Sequence, residues 1–189
     1  MKRVMIDIGA CNGKTCKKYL NENFKVYAFE PLPYNVNQIE HHDNLTVVRA
    51  AVGSYNGTAY LFLGPKNTHQ NCYWGTSIFE DKTNVTDTKS FEVAMVKLSD
   101  YWRHSIYWPV DLLRMNCEGA EYDILEDLMD AGIINRFKKI QFQDHTLDIP
   151  SLEGRSKDVY QRLLNEYKGK IQFINGSNQA VDDVPEYLR

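Results

Sequence analysis

Two glycines and one acidic residue occupy positions that are typical of a nucleotide-binding edge. Gly9 and Gly13 follow a short apolar run at residues 4–8, and a second apolar run at residues 25–29 ends at Glu30. Glycines let the backbone approach a ligand, and free N–H groups at a helix start can bind anionic groups. An acid after the second strand can accept both hydroxyl protons of a ribose. The spacing predicts a site for a ribose-bearing ligand, and a tight turn capped by Glu30 is the alternative.

The residue before the glycines indicates which ribose-bearing ligand fits. A pyrophosphate-binding turn needs a third glycine, in the pattern Gly-x-Gly-x-x-Gly, and the segment Gly9-Ala-Cys-Asn-Gly13 does not have that pattern. Asp7 suits a ligand with a cationic amino group better than one with a pyrophosphate. This chemistry favours the methionine end of S-adenosylmethionine. Two alternatives stay open, namely a nicotinamide-dependent oxidoreductase and a non-catalytic module that binds an adenosyl ligand or a partner.

The elements that must position these residues alternate between strand and helix. Alternation at this spacing predicts parallel pairing through right-handed crossovers, and hence an α/β fold with a mostly parallel central sheet flanked by helices. We expect one domain over residues 1–189, in which two further strands, at residues 57–63 and 91–96, could form a hairpin. The predicted strands of the central sheet are residues 4–8, 25–29, 45–48, 110–115, 139–142 and 171–174. The predicted helices are residues 14–20, 33–40, 120–131 and 157–167.

Composition argues against several classes of function. The chain has 189 residues, 43% of them hydrophobic, which is enough for one domain with a buried core. A net charge of -3 provides no basic field for nucleic acid, so we expect no nucleic-acid partner. No apolar run approaches the roughly 20 residues that span a bilayer, and the N-terminus lacks the shape of a signal peptide. We therefore expect a cytoplasmic protein with no membrane partner.

Five segments, in order along the chain, match the pattern of a known family. Through them, residues 3–145 resemble the FkbM-type methyltransferases, a family that uses S-adenosylmethionine and is usually associated with O-methylation of sugars, polyketides and related hydroxyl compounds. The resemblance implies a Rossmann-like class I methyltransferase fold and S-adenosyl-L-methionine as the cofactor. The segments are Val4-Met-Ile-Asp-Ile-Gly-Ala-Cys-Asn-Gly-Lys-Thr15, Ala28-Phe-Glu-Pro-Leu-Pro33, Ala50-Ala-Val-Gly53, Val96-Lys-Leu-Ser-Asp-Tyr101 and Asp111-Leu-Leu-Arg-Met-Asn-Cys-Glu-Gly-Ala-Glu121.

The resemblance also implies which residues hold the cofactor. The first segment looks like the family's glycine-containing motif, the second carries the ribose acid, and the third corresponds to a segment that usually lies near the adenine. The cofactor-binding residues implied in this way are Asp7, Gly9, Ala10, Asn12, Gly13, Thr15, Glu30, Pro31, Ala51, Val52 and Asn116.

Two features depart from the family pattern. Asn116 stands where the family usually has Asp, and the chain starts directly at the first strand, without the N-terminal covering segment that many methyltransferases carry. Because Asn is a poorer ligand for a hard cation than Asp, we predict that no metal takes part. The absent cover predicts a small, open active site, or one that is completed by another chain in a homo-oligomer.

The catalytic groups should follow the carboxyl ends of the strands, where open parallel sheets place their sites. Methyl transfer to a hydroxyl requires alignment of donor and acceptor and a group that takes up the proton. We predict His145 as that base, because an imidazole titrates near neutral pH. Glu118 and Asn116 would complete the catalytic group. The alternatives are a structural role for His145 and a first-turn helical acid for Glu118.

A long loop at residues 64–90 is the candidate acceptor lid. Its rings and hydroxyls suit stacking on, and hydrogen bonding to, a polar ring such as a sugar. The expected partner is therefore a small molecule with a hydroxyl group, and a carbohydrate in particular. A mobile surface loop with incidental aromatic residues is the alternative. The residues concerned are His69, Asn71, Tyr73, Trp74, Thr76 and Ser77.

Overall fold

Seven strands form the central sheet of the protein, whose computed structural model describes residues 2–67, 72–85 and 90–188. Across this sheet the order is β12-β11-β10-β9-β1-β2-β3, and every neighbouring pair is parallel except β11 and β12. This architecture confirms the predicted Rossmann-like α/β fold. The strands in chain order are β1 (Arg3–Ile8), β2 (Phe24–Phe29), β3 (Leu45–Val48), β4 (Ala51–Val52), β5 (Gly57–Phe62), β6 (Lys66–Asn67), β7 (Cys72–Tyr73), β8 (Ser90–Val96), β9 (Leu112–Met115), β10 (Lys139–Phe142), β11 (Lys170–Ile174) and β12 (Ala180–Val181).

The α-helices of the described residues connect the parallel strands. Among these residues no helix is long and apolar enough to cross a membrane. The predicted helix at residues 33–40 ends early, at Val36, and Asn37 caps it. An asparagine side chain can bond to nearby backbone groups and so favours turns over helix. The helices are α1 (Lys14–Asn21), α2 (Pro33–Val36), α3 (Leu98–Tyr101), α4 (Glu121–Asp130) and α5 (Arg155–Glu166), and a π-helical turn (Trp102–Ile106) extends α3.

The main hydrophobic core lies between the sheet and helices α4 and α5. Alternate side chains of the central strands point to this face, where Leu113 and Phe142 are fully buried against Leu125 and Leu163 of the two helices. The opposite face of the sheet carries a smaller core, in which Cys16 of α1 packs against β1 and β2. Helices therefore flank both faces of the sheet, as predicted.

A small second sheet, in the order β4-β8-β5, lies beside the central sheet. Strands β5 and β8 pair antiparallel over their whole length, so the predicted pairing of residues 57–63 with 91–96 is confirmed. Two short strands, β4 and β12, were not predicted from the sequence, because each has only two residues and shows no periodicity. The segment at residues 64–90 is more structured than a simple loop, since it contains β6 and β7.

Candidate active site

A cavity of about 1060 Å³ opens at the carboxyl ends of the parallel strands. Its wall includes the residues that follow β1, β2 and β9, together with residues 73–76 of the segment between β5 and β8. Open parallel sheets bind ligands at this edge. Of the predicted cofactor residues, the cavity wall contains Gly9, Ala10, Asn12, Thr15, Glu30, Pro31, Ala51, Val52 and Asn116.

Gly9 lets the ends of β1 and β9 approach each other. Its φ is +80°, and an added Cβ would lie 2.1 Å from the carbonyl oxygen of Asn116. The backbone N–H groups of Gly9 and Ala10 both donate to the carbonyl of Phe29, at 3.0 and 3.1 Å. The left-handed conformation and the close contact leave no space for a side chain. This glycine is therefore required by the packing of the strands, in addition to lining the cavity.

Gly13 lies at the start of α1 and outside the wall of this cavity. Its φ is +77°, and an added Cβ would lie 3.0 Å from Cγ2 of Ile39. The left-handed φ turns the chain from the loop after β1 into the helix. We therefore assign Gly13 to the shape of the turn, and its predicted contact with the cofactor finds no support in this placement.

Glu30 is held in the wall of the cavity by three hydrogen bonds. One carboxylate oxygen accepts from the backbone N–H of Cys11 at 2.8 Å, and the other accepts from the N–H of Leu32 at 3.0 Å and from the amide of Asn35 at 3.3 Å. Burial raises the pKa of Glu30 from 4.5 to about 7, even though these hydrogen bonds lower it. The carboxylate therefore has a fixed position and accepts further hydrogen bonds from a ligand most readily when it is ionised.

Asp7 is predicted to face a cationic group of the ligand, and in the structure its cationic partner is a side chain of the protein. The side chain of Asp7 is completely buried and forms an ion pair with Arg114, with 2.9 Å between Oδ1 and Nη1. Its other oxygen accepts from the thiol of Cys16 at 3.3 Å. Asp7 points to the face of the sheet on which α1 lies, and Arg114, its register partner on β9, points to the same face. Its partner Arg114 lines the cavity instead.

Asn116 lines the cavity directly after β9. Its backbone N–H donates to the carbonyl of Ile8 at 2.9 Å, which fixes the residue beside the end of β1. Its side-chain Oδ1 is buried and has no hydrogen-bond partner among the described residues. A buried acceptor without a partner is unfavourable unless a ligand or water donates to it. Asn116 is therefore suited to bind a donor group, such as an ammonium, in the cavity.

His145 lies behind the cavity, between two carboxylates. Its Nδ1 is 3.1 Å from Oε1 of Glu121, and its Nε2 is 3.3 Å from Oε2 of Glu118, although this second contact lacks hydrogen-bond geometry. Burial lowers the pKa of His145, but the two carboxylates outweigh burial and raise it from 6.5 to about 9. A buried imidazolium of this kind cannot take up a proton at neutral pH. The predicted role of His145 as the base finds no support in this geometry.

Glu118 is the acid of this group that reaches the cavity. Its side chain is 21% exposed, and its Oε2 lies 3.2 Å from Nζ of Lys82, a lysine whose side chain is almost completely buried. The backbone of Glu118 has a left-handed φ of +61°, which is uncommon for a residue other than glycine. Its carbonyl accepts from the hydroxyl of Ser77 at 2.6 Å. Contacts from the segment between β5 and β8 therefore hold Glu118 at the mouth of the site.

Glu121 organises the loop between β9 and α4. Its two carboxylate oxygens accept from the backbone N–H groups of Cys117 and Gly119, each at 2.8 Å. Burial raises its pKa, but His145 and the hydrogen bond from Cys117 lower it overall. Neither Glu121 nor Lys82 was given a role in the site on the basis of the sequence. Glu121 could have been found as the last residue of the pattern Glu118-Gly-x-Glu121. Lys82 belongs to no such pattern, so the sequence does not mark it.

The candidate acceptor segment is only partly within the described residues. Tyr73, Trp74 and Thr76 line the cavity, and Ser77 contacts Glu118 instead. The backbone N–H of Tyr73 donates to Oδ1 of Asn35 at 3.1 Å, which links this segment to α2 beside Glu30. The predicted contacts of His69 and Asn71 lie outside the described residues. In the ranges that the structure does describe, no group of three His, Cys, Asp or Glu side chains could hold a metal ion.

Comparison with known proteins identifies the family. The model of the FkbM methyltransferase domain matches residues 7–170, which are most of the chain and include every strand from β2 to β10. No curated protein matches the chain, and no solved structure matches it. The match spans the glycine turn after β1, Glu30 after β2 and the Glu-Gly-x-Glu loop after β9. The chain therefore belongs to the FkbM methyltransferase family.

Proposed function

We propose that this methyltransferase uses S-adenosylmethionine to methylate a hydroxyl group of a small, sugar-like molecule. The observation that carries the proposal is the Glu30 carboxylate, which is fixed in the cavity wall at the end of β2. A carboxylate at this position can accept both hydroxyl protons of a ribose. Asn116 supports the same assignment, because its buried and unpartnered Oδ1 can accept from the ammonium group of the methionine end.

When bound, S-adenosylmethionine supplies an electrophilic methyl group, so the protein mainly aligns the acceptor and receives its proton. Glu118 is the side chain placed to orient the acceptor hydroxyl and to accept its proton, because it combines a fixed position with access to the cavity. The buried side chains of Lys82 and His145 balance the negative charge of Glu118 on its side away from the cavity. Trp74 and Tyr73 offer ring faces in the cavity wall on which a sugar ring can stack.

Calorimetry and turnover test the proposal separately. We expect S-adenosylhomocysteine to bind, and NAD not to bind, because the glycine turn lacks the third glycine of a pyrophosphate site. Turnover is measured with a labelled methyl donor and a panel of hydroxyl acceptors. Glu118→Gln should lower kcat by roughly 100-fold or more while S-adenosylhomocysteine affinity stays within about twofold. Binding of NAD in place of S-adenosylhomocysteine would contradict the proposed donor.

The matched control for Glu118→Gln is Glu153→Gln, because Glu153 is exposed in the loop before α5 and lies outside the cavity wall. This control should retain parent turnover. If Glu118→Gln also keeps parent turnover, Glu118 does not accept the proton of the acceptor.

A further inference from the structure

A row of polar side chains crosses the sheet on the face where α1 lies. Asp7, Arg114, Gln141 and Gln172 are register partners on β1, β9, β10 and β11. Each is buried, with an exposed fraction between 0% and 9%. The inner strands of parallel sheets are normally apolar on both faces, so a buried polar row needs partners of its own.

Hydrogen bonds fix the orientation of this row. The amide of Gln141 donates to Oε1 of Gln172 at 2.8 Å, and the amide of Gln172 donates to Oδ1 of Asp182 at 2.7 Å. The guanidinium of Arg114 is held between Asp7 and Asn178. Arg114, Gln141 and Gln172 all line the large cavity. The cavity therefore continues from the strand ends onto a rigid polar floor.

Three lysines line the same cavity as this floor. Lys139 lies two residues before Gln141 on the same face of β10, and Lys14 and Lys18 are one turn apart on α1. Within the described ranges, no carboxylate forms an ion pair with any of them. Burial and the neighbouring Lys170 lower the pKa of Lys139. Asp182 acts on Lys139 in the opposite direction. An anion bound in the cavity would compensate positive charge that no ion pair within the described residues neutralises.

The polar floor is distant from the nucleoside end of the cavity. Glu30 follows β2, whereas Gln141 and Gln172 lie three and four strands away, because the sheet order is β11-β10-β9-β1-β2. At about 4.8 Å between neighbouring strands, these separations are roughly 14 and 19 Å. A ligand group on the floor is therefore separate from the ribose that Glu30 would bind.

We propose that this polar floor and its lysines bind an anionic group of the methyl acceptor, so that the acceptor is an anionic polyol such as a sugar acid or a sugar phosphate. The glutamine amides can hydrogen-bond its hydroxyl groups, and the ammonium groups bind its carboxylate or phosphate. The role as an acceptor site rests on the proposed function. The methyl donor also carries a carboxylate, and the experiment must separate these two sources of negative charge.

The experiment titrates ¹⁵N-labelled protein with glucose 6-phosphate, glucuronate and glucose, and it follows the side-chain amide signals of Gln141 and Gln172. We expect both charged sugars to shift these signals and to bind about tenfold or more tightly than glucose. Lys139→Gln should weaken their binding by roughly tenfold, the usual effect of losing one charge-assisted hydrogen bond. The control is Lys157→Gln, an exposed lysine of α5 outside the cavity wall, which should leave the affinities unchanged.

The proposed anion site is contradicted if the charged sugars bind no better than glucose, if the glutamine signals do not shift, or if Lys139→Gln binds these sugars as tightly as the parent. A second titration, with the protein saturated by S-adenosylhomocysteine, identifies the source of the anion. Retained binding of the charged sugars supports the acceptor, and their displacement would assign the floor to the carboxylate of the donor and overturn the acceptor site. Because the first titration contains no donor, it reports on this site even if S-adenosylhomocysteine fails to bind and the proposed function is wrong.

Discussion

His145 and Glu121 form a buried ion pair, with 3.1 Å between Nδ1 and Oε1. Neither side chain is more than 2% exposed. Because Glu121 also accepts two backbone N–H groups of the loop after β9, the pair ties that loop to the segment after β10. The loop carries Asn116 and Glu118, which face the cavity. The ion pair therefore positions the two residues that would contact ligands, and it does so without reaching the cavity itself.

This ion pair predicts that the protein loses stability in mildly basic solution. The pKa of His145 is about 9 in the folded chain, above its ordinary value of 6.5, because its two carboxylate neighbours outweigh burial. The stabilisation is complete below about pH 6.5 and is lost as the pH rises through about 9. The loss amounts to at most about 3 kcal/mol in the free energy of unfolding. Urea unfolding at several pH values measures it.

Removing the imidazole should abolish this part of the pH dependence. We expect His145→Gln to be less stable than the parent at pH 6, since it leaves Glu121 buried without a cationic partner. If the variant does not fold, the NMR titration of the His145 ring in the parent protein still tests the prediction. An imidazole pKa at or below 6.5 would contradict it.

Glu30 predicts a pH dependence of donor binding. The pKa of this buried carboxyl is raised to about 7, and hydroxyl groups of a ribose donate best to its ionised form. The affinity for S-adenosylhomocysteine should therefore increase as the pH rises through about 7. In Glu30→Gln the affinity should be weaker by about 1 to 3 kcal/mol and should no longer follow this titration. Calorimetry between pH 5.5 and 8.5 gives both quantities, and a parent affinity that is flat over this range would exclude Glu30 as the titrating group.

Gly9 predicts a large loss of stability on substitution. Gly9→Ala places a Cβ 2.1 Å from the carbonyl oxygen of Asn116, at a φ that disfavours any side chain. We expect the free energy of unfolding to fall by more than about 2 kcal/mol. Gly132→Ala is the matched control, because Gly132 also has a left-handed φ, of +68°, but has no atom within 4 Å of the added Cβ. The control should lose only about 1 kcal/mol. Equal losses in the two variants would show that the close contact is relieved elsewhere.

The fold was predictable from the sequence because apolar runs and glycine turns are local signals. The runs at residues 25–29 and 139–142 correspond to β2 and β10 almost residue for residue. The side-chain partners of the site were not predictable, because they are distant in sequence. Asp7 and Arg114 are 107 residues apart, and only the parallel register of β1 and β9 brings them together. The cationic side chain that pairs with Asp7 was therefore not visible in the sequence pattern.

The side chains that contact His145 could not be predicted from the sequence, for a related reason. A histidine that follows a central strand can face the ligand or the protein, and the sequence pattern does not distinguish these orientations. Here the ring contacts the carboxylate of Glu121, on the helix after the neighbouring strand, and His145 is not part of the cavity wall. Lys82 belongs to a segment without periodicity, and only the folded chain places it beside Glu118.

Lys82 provides the last prediction, which concerns the position of Glu118. Its ammonium is almost completely buried and lies 3.2 Å from the Glu118 carboxylate, so it fixes both the charge and the place of that side chain. Lys82→Met retains the apolar stem and removes the charge. We expect kcat to fall by roughly tenfold or more, while the affinity for S-adenosylhomocysteine stays within about twofold. Lys157→Met, at an exposed lysine of α5 outside the cavity wall, should behave like the parent.

A double-mutant cycle separates this positioning role from a general loss of stability. If Lys82 acts through Glu118, then Lys82→Met should lower kcat far less in a Glu118→Gln background than in the parent, because the group that it positions is already absent. Lys82→Arg, which keeps the charge, should recover part of the parent rate. A purely structural role for Lys82 would give the same fall in kcat in both backgrounds. The ion pair between Lys82 and Glu118 joins the segment between β5 and β8 to the loop after β9. An equal fall in both backgrounds would mean that Lys82 only stabilises the contact between these two segments.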